Sequence, residues 1–117
     1  MHMVRSDLTS TSKLLRGTLD LLLLQALSSG PLHGYAVARC IEASTDDALR
    51  VEEGSMYPAL HRLETRGFVL AKWSTGEKGR RVRVYALSRR GQDRLAAERR
   101  SWSVFARAVS RMVGASR

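Results

Sequence analysis

A change of periodicity near Gly67 constrains this chain more than any other feature. From Ser55 to Gly67 the sequence SMYPALHRLETRG repeats at helical spacing, and from Phe68 to Leu87 it alternates with a period of two. Stepping about 100° per residue puts Met56, Ala59, Leu60 and Leu63 on one face. Pro58, His61, Arg62 and Thr65 lie opposite, with Tyr57 and Arg66 on the flanks. Ser55 is expected to cap this helix, and Pro58 then falls in the first turn, where its missing N–H costs little. One side packs, while the other is polar, aromatic and cationic, the chemistry that reading base edges in a major groove requires. An ordinary amphipathic surface helix satisfies the same wheel, so the helix alone does not decide.

The alternating segment beyond Gly67 narrows the choice. Phe68 to Trp73 reads as a strand, Ser74 to Gly79 as a turn with two glycines, and Arg80 to Leu87 as the returning strand. In the return, Val82, Val84 and Ala86 face one way, and Arg81, Arg83, Tyr85 and Leu87 the other. Ahead of this unit, Lys13 to Ser28 forms a helix in which leucine fills six of the nine positions from Leu19 to Leu27. Such a helix demands burial on several sides, more than a small monomer readily provides. Gly30 and Pro31 end it, and a second helix is expected from Leu32 or His33 to Ser44. Thr45 to Gly54 is a polar turn. After the hairpin, Ser88 caps a last helix reaching about Val113, where Leu95, Trp102, Phe105, Val109 and Met112 recur at spacings of 7, 3, 4 and 3. That heptad seam, interrupted by Glu98 in its first repeat, must fold back or meet a second copy, and dimerisation would cover both it and the leucine-rich helix through Leu19 and Leu23. The division expected is a flexible arm over 1–12, a winged helix-turn-helix domain over 13–87 and a dimerisation helix over 88–117. The fold class is mainly α (α+β).

Charge points to the partner. The chain carries a net +9, yet residues 1–49 hold 4 basic and 5 acidic side chains while residues 50–117 hold 16 and 6. Of 20 basic residues 17 are Arg, whose planar fork pairs with phosphate or guanine through two bonds. An anionic membrane would favour a basic amphipathic helix, but the densest cluster, Lys78, Arg80, Arg81 and Arg83, falls on the turn and strand. The run from Leu19 to Leu27 is too short to span a bilayer and contains Asp20 and Gln25, and Asp20 also argues against a signal peptide. One cysteine, Cys40, fits a reducing cytoplasm. His33, His61 and Cys40 occupy separate segments, and no nucleophile lies beside a base, so neither a metal centre nor a catalytic site is expected. Thr75 to Arg81, TGEKGRR, lacks P-loop spacing and reads as a wing tip.

The ordered set of motifs resembles the PadR family of bacterial transcriptional regulators, in its short, subfamily 2-like form. The matching residues are Gly17 with Leu19 to Leu24, Gly30-Pro31, His33-Gly34-Tyr35, Gly54-Ser55, Tyr57-Pro58-Ala59-Leu60 and Arg62-Leu63-Glu64. Gly67, Gly79-Arg80-Arg81, Tyr85, Leu87 and Gly91 complete the pattern, which spans about residues 13–113. Ser88 stands where the family usually has Thr, and Arg81-Val82-Arg83-Val84 where a lysine and a second aromatic are common.

The resemblance implies a homodimeric, ligand-responsive repressor whose paired recognition helices enter successive major grooves of an inverted repeat in double-stranded DNA. Ser55, Tyr57, His61, Arg62 and Thr65 would then meet the groove or its rim, Tyr35 and Arg66 the backbone, and Lys78, Arg80 and Arg81 phosphates or the minor groove. Tyr35 and Tyr57 equally fit packing between helices, and Arg66 a role balancing the helix terminus. Trp102 and Phe105 are candidates for an effector pocket taking a small, flat, apolar or aromatic molecule, and equally candidates for core. No cofactor is implied. The competing reading is a winged helix used for protein contacts or for sequence-neutral nucleic-acid binding.

Overall fold

The computed structural model of the chain describes residues 6–7 and 13–114, with side chains from Gly17 to Gly114. A two-residue strand β1 (Ser6–Asp7) precedes helix α1 (Lys13–Ala26), which continues into a 3-10 turn at Leu27–Ser29. Strand β2 (Leu32–His33), helix α2 (Gly34–Ser44), strand β3 (Leu49–Arg50) and helix α3 (Glu53–Thr65) come next. Strands β4 (Val69–Thr75) and β5 (Arg81–Leu87) form the hairpin, and helix α4 (Arg89–Val113) closes the chain. The arm expected over 1–12 lies outside the described residues except for Ser6–Asp7, which pair in parallel with Leu49–Arg50.

Helices α1, α2 and α3 converge on one core in which Leu23, Leu24, Leu27, Val37, Met56 and Leu60 are almost fully enclosed. Burying an aliphatic side chain of that size contributes about 1.5–3 kcal/mol each, so these six positions carry much of the fold. The crowding expected of α1 is resolved largely within one chain. It packs against α2, α3 and α4, and Leu19 and Leu23 are 3% and 0% exposed. Their assignment to a dimer interface is thereby corrected: both are enclosed in the core of the chain itself and have no surface left for a partner. Leu95, 4% exposed, likewise belongs to the core of the chain itself.

Two helix starts differ from the sequence reading. Leu32 and His33 do not begin α2; they pair with Tyr85 and Val84 as the third strand of an antiparallel sheet ordered β2-β5-β4. Helix α3 begins at Glu53 rather than near Ser55, and the Met56 N–H donates to the Glu52 carbonyl at 2.9 Å. Ser55 is therefore inside the first turn and caps nothing. Glu52 and Glu53 place carboxylates at the positive end of the helix, which favours the earlier start without a serine cap. Pro58 then lies in the second turn, where it removes the bond that would otherwise reach the Gly54 carbonyl.

The hairpin alternates as expected, and the structure settles which row meets the core. Val69, Ala71, Trp73 and Thr75 pair with Leu87, Tyr85, Arg83 and Arg81 in register. At the base of this row Val69 and Tyr85 are buried, and farther out Trp73 and Arg81 emerge into solvent. Ser88 caps α4 as anticipated: its Oγ accepts from the Gly91 N–H at 3.0 Å, and its hydroxyl donates to the Gly67 carbonyl. Gly91 is required by close approach, since a Cβ there would sit 1.9 Å from the Phe68 carbonyl oxygen. Beyond Leu95 no residue of α4 is buried, and Gly114, at φ +74°, ends the helix in a left-handed cap.

Candidate nucleic-acid interface

Helix α3 is fastened along both flanks and left bare between them. On one flank the Arg62 guanidinium donates to Asp20 Oδ1 of α1 at 3.3 Å. On the other, Arg83 of β5 donates to Glu64 Oε2 at 3.0 Å, tying the hairpin to the helix. Met56, Ala59, Leu60 and Leu63 face inward, and Glu53, Gly54, Pro58, His61 and Thr65 are exposed. Arg62, expected to point outward with His61, is thus turned toward α1. Its position on the wheel is at the edge of the outer face, close enough to Asp20 for the ion pair to capture it. The Asp20 carboxyl is held above the ordinary carboxylate range, chiefly because burial penalises its charge, with the Arg62 and Arg66 guanidinium groups opposing that shift.

The two tyrosines take different roles. Tyr57 lies across the first residue of α2: a Cβ at Gly34 would come 2.5 Å from its ring, so any side chain there would push the ring aside. That contact leaves Tyr57 38% exposed at the foot of the helix, and its phenol is pushed up mainly by burial, with the Glu53 charge adding to the shift. Tyr35 does not pack between helices. Its ring stacks on His33 with an interplanar angle of 4°, and its hydroxyl accepts from Arg39 at 3.0 Å, so α2 presents an aromatic and cationic edge beside α3. Ser55 is half-buried and Arg66 is exposed at the C-terminal end of α3.

Lys78, Arg80 and Arg81 are all exposed at the tip of the hairpin. The turn places Lys78 at φ +61° and Gly79 at φ +72°, two successive left-handed residues that bring three cations into one short loop. Trp73, which sequence reasoning did not single out, lies beside them with the Arg81 guanidinium 4.6 Å and the Arg83 guanidinium 5.3 Å from its ring centroid. The turn read from the sequence, Ser74 to Gly79, would set Trp73 opposite Arg80; the strands instead run on to Thr75 and Arg81, which places Trp73 opposite Arg83 and forms the cluster.

At the far end of the molecule, Trp102 and Phe105 of α4 meet ring to ring with centroids 5.8 Å apart. With Gly17, Thr18, Leu21, Glu98 and Ser101 they line an open groove of about 240 Å³ between α1 and α4. Val109 and Met112 extend the same seam, and Met112 is 86% exposed. Among the described residues, no group of His, Cys, Asp and Glu is placed to hold a metal ion, and no helix is long and apolar enough to cross a membrane.

Residues 23–97 match the model of the transcriptional regulator PadR-like family. A transcriptional regulator from Clostridium thermocellum superposes with a TM-score of 0.78 at 25% identity, over 87% of this chain and 99% of that one. A PadR-like transcriptional regulator from Bacillus cereus superposes at 0.74 and 22% identity, over 90% and 100% of the two chains, and so speaks to the fold alone. An uncharacterised 37.1 kDa transposon protein of Streptomyces fradiae is 40% identical over 82 residues. Those residues are 70% of this chain, which spans only 22% of that relative's length. An uncharacterised protein of Lysinibacillus sphaericus is 25% identical over 86% of this chain and 87% of its own.

Proposed function

The chain belongs to the PadR-like family of transcriptional regulators, proteins that are not enzymes, and on that premise we propose that it is a homodimeric, sequence-specific repressor. The observation that carries this reading is the bare outer face of α3, held from both flanks and adjoined by a hairpin whose tip is cationic. Tyr57, His61 and Thr65 face the major groove, with Ser55 at its rim. Tyr35 and Arg66 meet the sugar-phosphate backbone, and Lys78, Arg80 and Arg81 supply the sequence-independent attraction of the wing. Arg62 seats the helix on α1 and contributes to recognition through that placement.

The seam on α4 supports the dimer. Trp102, Phe105, Val109 and Met112 form an exposed apolar line, two of them 45% exposed, on a helix that reaches beyond the domain. A second α4 packed along it would relate two copies of α3 by a two-fold axis and so select an inverted repeat, with half-sites about 34 Å apart or a multiple of it. The groove beside Trp102 gives an effector a place to act: a small apolar or aromatic molecule wedged between α1 and α4 would favour one dimer geometry and thereby alter the spacing of the readers. This activity places the protein in the cytoplasm with its DNA. A footprint over the DNA upstream of its own reading frame tests the proposal. Two protected half-sites related by symmetry are expected; uniform protection would favour sequence-neutral binding instead.

A further inference from the structure

The wing carries an exposed aromatic ring between two cations. Trp73 is 54% exposed, an unusual situation for the largest apolar side chain on a small protein. Strand register explains its neighbours: Arg83 is its direct cross-strand partner, and Arg81 is the next residue of β5 on the same face. Both guanidinium groups lie over the indole, Arg81 at 4.6 Å and Arg83 at 5.3 Å from the centroid. Arg83 in addition bonds Glu64 of α3 at 3.0 Å. One continuous chain of contacts therefore runs from the flank of the reading helix, through Arg83 and the indole, to Arg81 on the exposed outer part of the wing.

We propose that Trp73 is a positioning residue for DNA binding: its indole holds Arg81 and Arg83 in place between α3 and the wing. The inference rests on the DNA-binding reading and deepens it. A free arginine loses considerable rotamer freedom when it grips a phosphate, and a guanidinium already held over an indole has lost part of it before binding. The face of an indole attracts cations more strongly than the other aromatic rings do, and the attraction survives exposure to water. Arg83 serves a second purpose, since it neutralises Glu64, whose carboxylate would otherwise stand at the edge of a surface that must receive phosphates. Arg81 is thereby presented to the backbone at a fixed distance from α3, which keeps the wing in step with the helix.

Affinity for a short fluorescein-labelled duplex of mixed sequence, measured at low and moderate salt, tests this. Trp73→Ala is expected to weaken binding about tenfold while leaving thermal unfolding nearly unchanged. Trp73→Phe, which restores a ring for the cations, is expected to recover most of that loss. Introducing Trp73→Ala into the Arg81→Ala, Arg83→Ala double variant is expected to change affinity no further, because the indole acts through those arginines. Trp73→Gln, a second ring-free variant, carries the test should Trp73→Ala not fold. Wild-type affinity in the ring-free variant overturns the inference, as does an equal loss in the arginine-free background. A wild-type protein that binds no duplex at all overturns the DNA reading itself, a result distinct from the other two.

Discussion

Replacing Gly91 by alanine perturbs the joint between the wing and α4. The added Cβ would lie 1.9 Å from the Phe68 carbonyl oxygen, 2.9 Å from its carbon and 3.3 Å from a Leu87 methyl. The first two are backbone atoms that cannot swing aside, so the first turn of α4 must withdraw until the oxygen regains ordinary contact. Withdrawal pulls on the Gly91 to Ser88 bond of 3.0 Å and on the Ser88 N–H to Phe68 carbonyl bond of 3.1 Å. It also pulls on the Arg90 and Arg94 guanidinium groups stacked on the Phe68 ring at 5.1 and 5.3 Å. Overpacking costs about 1–3 kcal/mol, and each weakened hydrogen bond about 0.5–1.5 kcal/mol, giving a destabilisation of about 3 kcal/mol. For a chain of this size that lowers the melting temperature by roughly 10–15 °C. Thermal unfolding followed by circular dichroism at one fixed protomer concentration measures it, with Gly17→Ala as the control. Gly17 lies within α1 with no heavy atom near its Cβ position, so alanine there should stabilise by about 0.5–1 kcal/mol. An unchanged melting temperature for Gly91→Ala would refute the close approach on which the placement of α4 depends.

The other predictions concern charge, assembly and DNA. Because the Asp20 pKa is raised, the folded chain holds that proton more tightly than the unfolded chain, and stability falls as pH rises through the raised value. Asp20→Asn should therefore melt at the wild-type temperature or above it at neutral pH, with the difference vanishing toward low pH; markedly earlier melting at neutral pH would show the Arg62 pair to be net stabilising. Trp102→Ala combined with Phe105→Ala should yield folded monomers in sedimentation, since neither side chain belongs to the buried core, and a persistent dimer would place the interface elsewhere. Arg80→Ala should weaken binding to every duplex alike and reduce the salt dependence by about one unit of slope. Loss confined to one sequence would instead give Arg80 a role in base readout.

The backbone plan was legible because it rests on local rules. Periodicity located four helices and the hairpin, and Ser88, a capping residue directly after the alternating run, announced the start of α4. The inward face of α3 also came from the wheel, because Met56, Ala59, Leu60 and Leu63 repeat without interruption. Tertiary contacts overrode the local signals elsewhere. Ser55 lost its capping role to a helix start that two glutamates favour, and Leu32-His33 became a strand because β5 offers them partners. Leu19 and Leu23 read as surplus apolar surface because no local signal announces how completely the core of the chain encloses them. Arg62 and Asp20 are 42 positions apart, and nothing in either segment announces that they meet. Trp73 was a different kind of omission: with the turn read over Ser74 to Gly79 it falls opposite Arg80, and only the tighter turn that pairs Thr75 with Arg81 brings it across from Arg83.

The central claim, that two copies of α3 read DNA as a symmetric pair, is tested most directly by selecting tight-binding duplexes from a random pool and sequencing them. Selection should converge on an inverted repeat with half-sites one helical turn, or a multiple of one, apart, bound by two protomers. A single asymmetric site bound by one protomer, or no sequence enrichment at all, would contradict it.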